Sequence, residues 1–107
     1  MANITITKDN FEKEVLQATR PVLVEFWAPW CIYCKRLGPA LDRLADKLEA
    51  ELVFGKINVD DQPELEEKFA VSVIPTLYLF QNGQHGEKLV APPSQAAVET
   101  WIRAQKA

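Results

Sequence analysis

The 107 residues are 48% hydrophobic and 25% charged, a globular balance that excludes a disordered or fibrous chain. That length is one domain's worth, spanning 1–107, and buries about two thirds of its unfolded surface. That globular balance suits a folded monomer; the net charge is −3 and the lysines and arginines are spread among acids, which leaves no basic footprint for nucleic acid or a membrane surface.

Alternating strands and helices follow from the periodicity, without repeats or low-complexity tracts. The start, Met1-Ala2-Asn3-Ile4-Thr5-Ile6-Thr7, lacks the basic and apolar stretches of a signal peptide, and Met1 is retained. No apolar run reaches transmembrane length. Asn3 to Thr5 reads as a short strand. Asp9 with Glu12 resembles a capping pair opening a helix through Ala18, which Arg20-Pro21 breaks. Val22 to Trp27 is a nearly continuous apolar run, the pattern of a strand covered on both faces.

A helix is predicted from Cys31 to Leu48, with Leu37, Leu41, Leu44 and Leu48 at helical spacing and Gly38-Pro39 kinking it or breaking it. Leu52 to Val59 reads as a second buried strand, and Asp60 or Asp61 as the cap of a short helix over 63–69. Thr76 to Gln81 and Glu87 to Val90 flank Asn82-Gly83, a hairpin signal. Ser94 opens a last helix with Val98, Trp101 and Ile102 on its apolar face. Two β-helix-β crossings imply a parallel portion and the hairpin an antiparallel one. The expected class is α/β, a central mixed sheet of four to five strands with helices on both faces.

The chemistry concentrates in Trp27-Ala28-Pro29-Trp30-Cys31-Ile32-Tyr33-Cys34-Lys35, which holds both cysteines. A CxxC pair entering a helix sets its thiols roughly 60° apart about the axis and a turn apart, close enough to join reversibly. The helix N-terminus favours the thiolate of the first cysteine, the form that attacks disulfides. Two other readings compete. Zinc usually takes four protein ligands, and His85 is the one further soft candidate; it sits by the predicted hairpin turn and is otherwise given no role. A structural staple over so short a loop restrains the unfolded chain little. Thiol–disulfide exchange is the leading reading, and two cysteines confined to one exchangeable motif suit a reducing cytoplasm. Glu25 is the lone carboxylate of an apolar strand; burial there raises its pKa and suits a base for the resolving thiol, unless the side chain points outward.

Together with Val22 to Cys31 and Cys34-Lys35, the stretches Pro39 with Leu41-Asp42, Lys56 to Asp60, Ile74 to Leu77 and Phe80 to Gly83 resemble the thioredoxin family over essentially the whole chain. The resemblance implies the thioredoxin fold and a thiol–disulfide oxidoreductase that reduces protein disulfides. Cys31 would be the exposed nucleophile and Cys34 the resolving thiol, with a reversible Cys31-Cys34 disulfide, no bound cofactor and no metal. Recharging would fall to an external reductase such as a thioredoxin reductase, because the chain has no dinucleotide fingerprint.

By the same resemblance Lys56 lies near the buried carboxylate, Pro75 is cis, and Ile74 offers its backbone to an extended substrate. Trp30, Ile32, Tyr33, Ile74 and the Ala91-Pro92-Pro93 turn would form an apolar docking surface, while Trp27 reads as core. The family usually has aspartate where Glu25 stands, so the longer side chain is expected to reach Cys34 directly. It typically carries Gly-Pro between the cysteines, where this chain has Ile32-Tyr33. Ala91 and Val73 stand where glycine is common, which narrows the groove. These departures keep open a second reading, a redox sensor or delivery protein with one dedicated partner.

Overall fold

The fold is that of a computed structural model, which describes residues 3–106; the readings made on Met1 and Ala2 lie outside them. The strands are β1 (Asn3–Thr5), β2 (Val22–Trp27), β3 (Val53–Asn58), β4 (Thr76–Gln81), β5 (Gln84–His85) and β6 (Leu89–Val90), and the α-helices are α1 (Ile32–Lys47), α2 (Pro63–Lys68) and α3 (Gln95–Lys106). The sheet runs β1-β3-β2-β4, with β5 and β6 sharing the outer edge of β4. β1 and β2 both pair with β3 in parallel, and β4 pairs antiparallel with β2. This is the expected mixed sheet, its last position split into two short strands.

The split corrects the predicted return strand. Asn82 and Gly83 both adopt left-handed backbone, with φ of 54° and 79°, as a tight hairpin turn requires. The chain pairs at once through Gln84–His85, leaves the sheet over 86–88 and rejoins it at Leu89. Among the described residues, no helix is long and apolar enough to cross a membrane.

Strand alternation sorts the core into two layers. Leu23, Phe54, Leu77 and Leu79 pack against Leu37, Leu41 and Leu44 of α1 and Val98 and Ile102 of α3. On the other face Val22, Val24, Phe26, Ile57, Tyr78 and Phe80 meet Phe11, Val15 and Leu65. Helices therefore cover both faces. The leucine row of α1 explains why Pro39 does not end that helix: the row is buried on both sides of the proline, and packing outweighs the lost hydrogen bond. At Gly55 a Cβ would stand 2.8 Å from Ile6 Cγ1, so glycine lets the chain after β1 close over β3.

Two capping expectations are corrected. The Asp9/Glu12 pair does not cap. Thr7 and Asn10 do so reciprocally, with Thr7 N–H donating to Asn10 Oδ1 at 2.7 Å and Asn10 N–H to Thr7 Oγ1 at 3.3 Å. The helix that follows is short and π-wound over Glu12–Leu16, closed by Gln17 N–H on Glu12 O at 2.8 Å, and does not reach Ala18. Nor do Asp60 and Asp61 cap α2, whose N-cap is Gln62, with Pro63 supplying the first turn. Ser94 acts as predicted, its Oγ accepting from Ala97 N–H at 3.1 Å.

Candidate active site

β2 ends at Trp27, and three residues carry the chain to Cys31, the N-cap of α1. Its Sγ accepts the Cys34 N–H at 3.1 Å, satisfying one of the donors that a helix start leaves unpaired. The remaining first-turn N–H groups and the helix dipole favour negative charge on this sulfur. Cys31 and Cys34 are joined as a disulfide with Cα atoms 5.2 Å apart, within the usual range.

Cys31 is less open than expected, at 8% exposure against 4% for Cys34. It packs among the apolar residues of the sheet's second face, and its Sγ lies 3.9 Å from Ile74 O. The Ile74-Pro75 bond is cis, as the resemblance implied. Thr76, fully buried, turns its Oγ1 back to donate to Val73 O, which fixes the loop that presents Ile74.

Around the disulfide, Trp30 and Ile32 are 65% and 67% exposed, and Tyr33 and Val73 are partly so. Trp30 is oriented by Asp60, to which its Nε1–H donates at 3.0 Å. Asp60, which the sequence suggests as a helix cap, instead stands beside the candidate site through this bond to Trp30. Tyr33 OH donates to Pro92 O at 2.9 Å and lies 3.3 Å from Ala91 O. Ala91 has φ of 46°, a left-handed conformation that explains why glycine suits this position, and its N–H donates to Pro75 O at 2.8 Å.

Glu25 is buried and alternates with Leu23, which directs it toward α1. Desolvation pushes its pKa up to about 7, opposed by the charge of Lys56 and assisted by that of Asp42. Lys56 is its register partner on β3, half-buried, with Nζ 4.3 Å from the centre of the Trp27 ring. Among the described residues no hydrogen bond joins Glu25 to Cys34, whose sulfur in this disulfide form carries no proton to donate.

His85 pairs with Phe80 on β5, its ring 4.8 Å from that of Tyr78. Five residues of strand, about 16 Å, separate Phe80 from Pro75, so the one further soft ligand is not brought to the cysteines. Among the described residues no group of three or more His, Cys, Asp and Glu side chains is gathered for a metal.

The family model described as Thioredoxin matches residues 2–104. The chain is 37% identical over 97 residues to a thioredoxin of Rickettsia bellii, covering 91% of this chain and 92% of that one. It is 40% identical over 97 residues to a thioredoxin of Mycobacterium tuberculosis, covering 91% and 84%. A bifunctional thioredoxin reductase/thioredoxin of Mycobacterium leprae matches at 40% over 95 residues, 89% of this chain and 21% of that protein. Similarity of this extent, together with a disulfide at the start of α1, leads to one conclusion: the chain belongs to the thioredoxin family and is a thiol–disulfide oxidoreductase whose redox-active pair is Cys31 and Cys34.

Proposed function

We propose that the chain, working as a single monomeric domain in the cytoplasm, reduces disulfides of protein substrates, with Cys31 as the nucleophile. The observation that carries this reading is the place of Cys31: it caps α1 with the more accessible of the two cysteines, beside the Ile74-Pro75 loop. The Cys31 thiolate attacks one sulfur of a substrate disulfide, forming a mixed disulfide and releasing the other substrate sulfur as a thiolate. Cys34, as thiolate, then attacks Cys31 Sγ. The substrate leaves with both sulfurs reduced, and two electrons have passed from the chain, which ends as the Cys31-Cys34 disulfide.

Glu25, with a pKa near neutrality, takes the proton of Cys34 and returns it to the leaving thiolate. Lys56 tunes Glu25 by its charge. Trp30, Ile32, Tyr33, Ile74, Pro75 and Ala91 form the docking surface. An external thioredoxin reductase returns the electrons; the Mycobacterium leprae relative, whose name joins that reductase to a thioredoxin in one protein, supports this pairing.

The decisive assay follows insulin reduction under dithiothreitol. Wild type accelerates it and Cys31→Ser does not; equal rates overturn the proposal. The bulk at Ile32 and Val73 favours the second reading, a sensor or delivery protein with one partner. Competition among unrelated disulfide proteins separates the two, since a general reductase serves them all.

A further inference from the structure

The contacts around the disulfide close into a ring. Cys31 Sγ lies against Ile74 O at 3.9 Å, and the cis-proline next to Ile74 accepts from Ala91 N–H at 2.8 Å. Ala91 O and Pro92 O are both engaged by Tyr33 OH, at 3.3 and 2.9 Å. Tyr33 returns to Cys31 through Ile32. One hydroxyl between the cysteines therefore spans 58 residues of sequence to hold a strained loop in place, Ala91 having φ of 46°.

We propose that Tyr33 is a specificity gate, its hydroxyl occupying backbone acceptors that an incoming polypeptide must use. The inference rests on the disulfide-reductase reading and deepens it. A substrate segment laid along Ile74 as an added strand brings peptide N–H groups toward the 91–92 loop. Water would yield those carbonyls readily. Tyr33 does not, because its one hydroxyl proton must first leave Pro92 O and find another acceptor. A small disulfide without N–H groups reaches Cys31 without disturbing the ring. The gate thus selects against polypeptides whose backbone needs the 91–92 carbonyls and favours those that dock through side chains on Trp30, Ile32 and Val73.

The test compares wild type with Tyr33→Phe, using insulin and hydroxyethyl disulfide under dithiothreitol. The gate predicts that the ratio of kcat/KM for insulin to that for hydroxyethyl disulfide rises about fivefold in the variant, the effect of one neutral hydrogen bond, and that the change falls on KM. Amide exchange at Ala91 N–H should also quicken, since the tether holds that group against Pro75 O. An unchanged or lower ratio with an active wild type overturns the gate and leaves the reductase reading standing. A wild type that reduces neither substrate overturns both.

Discussion

Replacing Glu25 by glutamine isolates the electrostatic load that β2 carries in its buried centre. The carboxyl has a folded-state pKa of about 7 against an ordinary value of 4.5, and desolvation is the largest cause. Below pH 4.5 the group is protonated in both folded and unfolded chains and contributes nothing. Between 4.5 and 7 the unfolded chain releases a proton that the folded chain keeps, so stability falls as pH rises, by about 1.4 kcal/mol per pH unit. Above 7 the full difference persists, about 3 kcal/mol, and the near-complete burial of Glu25 gives no reason to discount it for solvent. Glutamine has the same shape and no titration. Urea unfolding of the oxidised proteins at a series of pH values from 4.5 to 8 should show the variant gaining on wild type by about 3 kcal/mol across the series. Taking the difference cancels the oppositely signed contributions of Glu51 and Glu99, whose pKa values their cationic partners lower. A difference that stays flat with pH would refute the reasoning, because Glu25 would then be ionised at its ordinary pKa or compensated in full by Lys56.

Ala91→Gly should stabilise the protein, since left-handed backbone costs an L-residue about 1–2 kcal/mol and glycine's freedom in the unfolded chain returns only part of that. A net gain of about 0.5–1 kcal/mol appears as a melting temperature about 4 °C higher; no rise, or a fall, counts against strain at this residue. The double variant Ile32→Gly/Tyr33→Pro places proline where the helix start leaves an N–H unpaired, removes the exposed isoleucine and cuts the tether to Ala91 and Pro92. It should reduce several unrelated disulfide proteins faster than wild type and shift the reduction potential, about 30 mV being a tenfold change in equilibrium. Equal rates and equal potentials would place specificity elsewhere. Rapid-mixing measurement of mixed-disulfide resolution should find Glu25→Gln slower than wild type near neutral pH, and equal rates from pH 6 to 9 would remove Glu25 from the proton path.

The parts of the site that were legible in the sequence are those fixed by local chemistry. The CxxC spacing at a helix start placed the disulfide, the apolar run around Glu25 foretold its burial and raised pKa, and Asn82-Gly83 announced its turn. What stayed hidden depends on residues far apart in sequence. Aspartate after a strand commonly caps a helix, so the sequence suggests that task for Asp60 or Asp61; the hydrogen bond from Trp30 to Asp60 spans 30 residues and leaves no periodic trace. The tether from Tyr33 spans 58 and is equally silent. At Pro39 the sequence left a kink and a break both open, and the continuous helix over Ile32–Lys47 decides against the break, because the leucine row is buried on both sides of the proline. The replacement of glycine by Ala91 was visible, but its physical meaning, a left-handed backbone beside the cis-proline, needed the fold.

Trapping the mixed disulfide tests the division of labour between the cysteines most directly. Cys34→Ser and Cys31→Ser, each reduced and then mixed with an oxidised protein substrate, are run on non-reducing gels and the linked peptides identified by mass. The account predicts that Cys34→Ser accumulates a covalent complex through Cys31, and that Cys31→Ser, left with the more deeply buried thiol, accumulates none. A complex formed by Cys31→Ser through Cys34, with none from Cys34→Ser, would contradict it.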